Sequence, residues 1–138
     1  MKIQMPQEIE VWYILPALRR EMAKTMIKDY DLSQRDAARI LGVTEAAISQ
    51  YVNEKRAKNV SFDKKTLSLI KSSVQRIISN EHELLNELYK LSDFLKKSEL
   101  VCQIHKKYDH NVPHSCDICF RSIAESTFEH TSNVNFHL

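Results

Sequence analysis

Apolar residues recur at three- and four-residue intervals along most of this chain, the spacing that places side chains on one face of an α-helix. The first stripe is Ile9, Trp12, Leu15, Leu18, Met22 and Met26, which predicts a helix over residues 6–29. Pro16 falls inside it, and proline lacks the N–H that an interior helical turn needs, so a kink or a fresh helix start is expected there. Polar Asp29, Tyr30 and Asp31 then mark a connection. Two short helices follow within residues 32–53. Ser33 is the N-cap of the first, with Asp36 placed three residues on like the acid of a capping box. That helix ends at Leu41. Gly42 and Val43 lead to Thr44, the N-cap of the second, whose inner side carries Ala47, Ile48, Tyr51 and Val52.

After a polar connection over residues 57–63, a second long stripe comprises Leu67, Ile70, Val74, Ile77, Leu84, Leu88, Leu91 and Leu95. Its seam-like spacing suits core packing, a dimer interface, or both. The segment Ser79-Asn80-Glu81-His82-Glu83 contains an Asn-x-x-Glu cap, so two helices are expected rather than one rod. Past Leu100 the pattern weakens, and a mobile end is expected within residues 121–138.

Composition sharpens this into an all-α expectation. The 138 residues include a single glycine and three prolines, too few for the turns of a sheet protein. No apolar run has the roughly 18 residues that would read as a membrane span, and the first residues lack the apolar core of a secretion signal, so a cytoplasmic protein is expected. Net charge is only +2, but residues 52–65 hold five bases (Lys55, Arg56, Lys58, Lys64, Lys65) against two acids, Glu54 and Asp63. Alone, such a stretch reads as a solvated surface; beside a helix that faces nucleic acid, it reads as a phosphate-binding edge.

The helix pair at residues 32–53 has the parts of a helix-turn-helix. Two helices that cross closely need a small residue at the contact, here Ala38. The turn needs a residue at ease with positive φ, here Gly42, and the second helix needs a buried anchor, here Ile48. Leu41, Val43 and Tyr51 close a miniature core. The only glycine of the chain stands where this geometry demands one.

The run from Gln34 through Asn53 (QRDAARILGVTEAAISQYVN) resembles the helix-turn-helix of phage-repressor-like (XRE-type) regulators. The wider N-terminal stretch, from Glu8-Ile9-Glu10-Val11-Trp12 to Val52-Asn53-Glu54-Lys55-Arg56, is similar to a group of archaeal transcriptional regulators. The resemblance implies a recognition helix at about residues 44–53 entering the major groove of double-stranded DNA. It implies a phosphate contact for Gln34 and groove-facing roles for Thr44, Glu45, Ala46, Ser49 and Gln50. Chemically, Gln50 suits adenine, Ser49 either edge type, Ala46 a thymine methyl, and Glu45 cytosine or its own helix cap. Asn53, Lys55, Arg56 and Lys58 are placed to hold the backbone. A homodimer on a pseudo-palindrome is the expected form.

The tail carries different chemistry. Cys102-x-x-His105 is followed, after ten intervening residues, by Cys116-x-x-Cys119, and these are all the cysteines of the chain. Two close pairs joined by a loop suit a tetrahedral structural zinc site, with His110 and His114 as alternatives to His105. Three cysteines and a histidine also suit an iron–sulfur cluster, which would make the protein a redox sensor. No glycine-rich phosphate loop or nucleophile elbow is present, and metal-like spacing accounts for Cys119 with His105 or His114 better than a thiol catalytic pair, so no enzyme is expected. A helical protein-interaction module is the competing class. The expected organisation is a helix-turn-helix bundle at residues 1–60, a two-helix connector with dimerising capacity at 61–100, and a small metal-binding tail at 101–138.

Overall fold

The computed structural model describes residues 3–121, which hold helices and turns and, among the described residues, no strand. The expected mobile end therefore lies outside the described residues.

The first long helix is interrupted as Pro16 requires, by a route the periodicity hides. α1 (Pro6–Ile9) runs into a π-helical turn (Glu10–Ile14), and α2 (Leu15–Tyr30) starts afresh with proline in its first turn. Leu15 N–H bonds the Glu10 carbonyl, five residues back. This wider turn adds a residue and rotates everything before it relative to α2. The expected stripe is corrected accordingly: Ile9, Ile14, Leu18, Met22 and Met26 are fully buried, whereas Trp12 is 65% exposed and Leu15 only half-buried. The five-residue step from Ile9 to Ile14 is the signature of the π turn.

α3 (Gln34–Leu41) and α4 (Glu45–Val52) pack on α2, followed by α5 (Lys64–Ser79) and α6 (Leu84–Lys97). The break between α5 and α6 is a 3-10 turn (Glu81–Glu83), with the Asn80 side chain accepting the His82 N–H at 3.2 Å. Ile70, Val74, Ile77, Leu91 and Leu95 turn inward onto α2 and its neighbours, so most of this stripe is core, with Leu67, Leu84 and Leu88 partly buried against it. α5 and α6 are further joined by Glu87, 1% exposed, which accepts from Ser73 Oγ (2.7 Å) and from Arg76 Nε and Nη2 (2.7 and 3.0 Å).

The start of the cysteine-bearing tail is also helical. α7 (Leu100–Tyr108) sends Val101 and Ile104 into the same apolar cluster that contains Ile9 and Ile48, so residues on both sides of positions 60 and 100 share one core. Tyr108 stacks on Tyr13 with ring centroids 4.9 Å apart, and Asp109 accepts the Gln4 backbone N–H at 2.8 Å. A last 3-10 turn (Ile118–Phe120) carries Cys119.

Candidate nucleic-acid interface

The geometry of α3 and α4 follows from their caps. Ser33 Oγ accepts the Asp36 N–H at 3.0 Å and donates to the Asp36 carboxylate at 3.0 Å, so the acid meets the cap hydroxyl rather than the cap backbone. At the other end Gly42 adopts φ 67°. Val43 N–H reaches the Ala38 carbonyl at 3.0 Å and Gly42 N–H the Arg39 carbonyl at 3.4 Å, the paired bonds of a Schellman ending. A Cβ added at Gly42 would meet no heavy atom within 4 Å. Backbone strain, not crowding, is thus what selects glycine in this turn.

Two residues later Thr44 Oγ1 accepts the Ala47 N–H at 3.0 Å and starts α4. Thr44 is therefore first a cap, and Glu45 does not serve as one. Ala47, Ile48 and Tyr51 turn inward against α2 and α3, beside buried Ala38 and Leu41. Glu45, Ala46 and Gln50 are exposed on the opposite side, with Ser49 half-buried between the two faces. α4 is short, so its hold on the protein rests on those three inward residues.

The end of α4 repeats the Schellman pattern without a glycine. Lys55 N–H bonds the Gln50 carbonyl at 2.8 Å and Glu54 N–H the Tyr51 carbonyl at 3.2 Å, leaving Glu54 at φ 58°. Lys24 Nζ stands 3.1 Å from the Glu54 carboxylate and holds it below the usual carboxylate range. The basic loop then projects Lys55, Arg56 and Lys58 into solvent, and the Arg56 guanidinium lies 5.8 Å from the centre of the Tyr51 ring. Asn53 is exposed, its amide 3.3 Å from Ser49 Oγ, and Gln34 is exposed at the start of α3. The ten sequence-selected positions therefore lie outside the core, nine exposed and Ser49 half-buried. Lys64 and Lys65 belong instead to the first turn of α5, where Lys65 lies over the Phe94 ring.

One positioning residue escaped the periodicity. Arg20, nearly buried on α2, donates from Nη1 to the Ala57 carbonyl, pairs with Glu21 at 3.0 Å and lies over the Phe62 ring. It thereby pins the basic loop to α2, and Ala57 sits at φ 59° in that loop. The only cue in the sequence is an arginine beside the buried Leu18 and Met22 positions.

The cysteine and histidine set is drawn together less completely. Cys102 is buried on α7, Cys116 and Cys119 are half-buried, and the Cys119 thiol is pushed up by burial and by the neighbouring Cys102 and Cys116. His105 Nε2 stands 2.7 Å from the Gln4 carbonyl and 3.8 Å from the Asp109 carboxylate. His110 and His114 are exposed. Among the described residues, no group of three or more His, Cys, Asp or Glu side chains is arranged to hold a metal ion. No helix among them is long and apolar enough to cross a membrane.

Comparison with known proteins adds one finding. Residues 24–62, from the second half of α2 to the end of the basic loop, match the Helix-turn-helix family model. No curated protein and no solved structure matches the chain. Residues 24–62 are thus similar to the helix-turn-helix domains of DNA-binding regulators.

Proposed function

We propose that this chain is a cytoplasmic, sequence-specific regulator that reads the major groove with α4 and acts as a homodimer, akin to the archaeal regulators its N-terminal stretch resembles. One observation carries the reading. α4 is anchored by Ala47, Ile48 and Tyr51 while Glu45, Ala46 and Gln50 face solvent, with Lys55, Arg56 and Lys58 exposed at its end. A short rod with a polar outer face and a basic edge supplies base contacts and phosphate contacts side by side. Gln34 at the start of α3 and Asn53 at the end of α4 extend the phosphate edge.

Binding-site selection from genomic fragments, followed by a shift assay, tests this. The double variant Gln50→Ala, Arg56→Ala is expected to lose about a hundredfold in affinity for the selected site, one contact to a base and one to the backbone. Its circular dichroism should match the parent, because both side chains are exposed. The Arg56→Ala change alone should weaken binding to all sequences and flatten the salt dependence by about one phosphate contact. Retention equal to the parent's would remove α4 from the interface.

We also propose a structural zinc ion in the tail, held by Cys102, Cys116 and Cys119 with His105. One feature supports it beside the Cys-x-x-His and Cys-x-x-Cys spacing: His105 offers Nε2 to the Gln4 carbonyl. A ring nitrogen donated to a carbonyl leaves the other as the lone-pair donor, the usual arrangement of a ligating histidine. Zinc would tie α7 to the Cys116–Cys119 turn and add folding free energy there. After purification with and without air, a colourless protein with about one zinc per chain is expected. A brown, oxygen-labile protein would point to an iron–sulfur cluster, and a metal-free one with freely reactive thiols would end both versions.

A further inference from the structure

The basic stretch at residues 52–65 contains two acids, and the fold turns both of them away from its bases. Asp63 caps α5, accepting the Thr66 N–H at 2.8 Å. Glu54 follows α4, and its carboxylate stands 3.1 Å from Lys24 Nζ on α2. Lys55, Arg56 and Lys58 are left exposed, and among the described residues no acid is paired with any of them. Exposed bases without acid partners keep their charge for a polyanion.

Backbone and side chain both constrain where Glu54 stands. The Lys55 and Glu54 N–H groups bond the Gln50 and Tyr51 carbonyls, which sets Glu54 at φ 58°. A residue with a Cβ is uncommon in this left-handed region, and functional sites hold a large share of such residues. The Lys24 side chain is 19% exposed and that of Glu54 72%. Lys24 is thus too withdrawn to grip a duplex itself, whereas Glu54 is free to swing once Lys24 lets go. Lys58 lines the same recess of about 290 Å³ as Lys24 and Glu54, and Lys55 and Arg56 follow Glu54 directly in the chain. A released carboxylate would sit among the three loop bases, and pairing with one of them would take that base from a phosphate.

We infer that Lys24 is a positioning residue for phosphate binding: by holding Glu54 against α2, it keeps the loop acid from neutralising Lys55, Arg56 and Lys58. This rests on the DNA-binding reading of the proposed function and adds to it a residue that never touches the duplex. The role differs from that of Arg20, which fixes the loop backbone through the Ala57 carbonyl. Lys24 acts on the charge of the loop. An exposed ion pair adds little to stability, so the effect belongs to binding rather than to folding. It is also independent of base sequence, because every site offers the same phosphates.

The test is a shift assay with the full chain, on the selected duplex and on a scrambled one, over a range of salt concentrations. Lys24→Met keeps an apolar stem and removes the charge. It is expected to weaken binding to both duplexes about tenfold and to flatten the salt dependence by about one phosphate contact. Lys24→Arg should bind like the parent. Glu54→Gln should change little in the parent, but added to Lys24→Met it should restore both affinity and salt dependence. That rescue separates the proposal from a Lys24 that grips phosphate or only supports the fold, because neither defect is repaired at Glu54. Circular dichroism of every variant should match the parent. Lys24→Met binding like the parent, or a double variant as weak as Lys24→Met, overturns the inference while the parent's own binding upholds the DNA reading. A gain from Glu54→Gln as large in the parent as beside Lys24→Met would mean that the charges merely add, and it overturns the inference as well. A parent without salt-dependent binding to either duplex defeats both.

Discussion

Replacing Ile48 by alanine is expected to destabilise the chain by about 4 kcal/mol, enough to threaten the helix-turn-helix at physiological temperature. Ile48 is fully buried, and it sits between Ala47 and Tyr51 on the only face by which α4 touches the protein. The flanking positions Ala38 and Ala47 are already small, so the lost methyl groups leave a void that neighbours cannot close by moving a flexible side chain. In urea the midpoint should fall with an unchanged slope, and the melting temperature should drop by more than about 10 °C. Ile48→Val, which deletes one methylene, should cost about 1 kcal/mol. A loss near that smaller figure for the alanine variant would mean that α4 is not anchored by this residue.

The second large effect is expected at the link between α5 and α6, from the partner that looks expendable. The Arg76 side chain is about half exposed, whereas the Glu87 carboxylate it meets is buried. Arg76 donating into that carboxylate holds it below the usual range, and Ser73 adds to this while burial opposes it. A carboxyl whose folded pKa is depressed contributes stability above its unfolded pKa and loses that contribution as the pH falls through the folded value. The parent should therefore shed this increment only in acid, below about pH 4. Arg76→Ala inverts the situation. Glu87 would remain buried with Ser73 as its remaining donor among these contacts, at a cost of about 3 kcal/mol at pH 7. Burial would then raise its pKa, so the deficit should shrink as the pH is lowered and the carboxyl takes up a proton. Denaturation of both proteins at pH 7 and pH 4.5 checks this. A deficit that stays constant, or grows, on acidification would show that the ion pair is not the source of the stability.

The two residues differ in how far the sequence reveals them. Spacing alone marks Ile48, because a helix-turn-helix places a small residue, a glycine and an apolar anchor at set intervals, and Ala38, Gly42 and Ile48 stand at them. Nothing in the spacing marks Glu87. A glutamate among leucines on an amphipathic helix looks solvated, and its burial depends on Arg76 arriving from another helix. The same limit applies to Arg20, whose importance lies in a backbone carbonyl of the loop at Ala57. Trp12 shows the opposite failure. It matched an ideal helical stripe, but the stripe assumed a constant 3.6-residue turn, and the π-helical turn moved Trp12 out and Ile14 in.

What the chain declares by itself is local. Caps at Ser33 and Thr44, a positive φ at Gly42 and the apolar rows of α2 and α4 depend on neighbours within a few residues, so the helix-turn-helix is legible in the sequence. Tertiary structure decided everything that needs a distant partner: the buried Glu87 and the return of α7 onto the N-terminal residues through His105 and Asp109. It also decided which of two apolar rows on α6 is core. Either row could face inward by periodicity, and only the packing of α2 against α6 left Leu85 and Tyr89 uncovered.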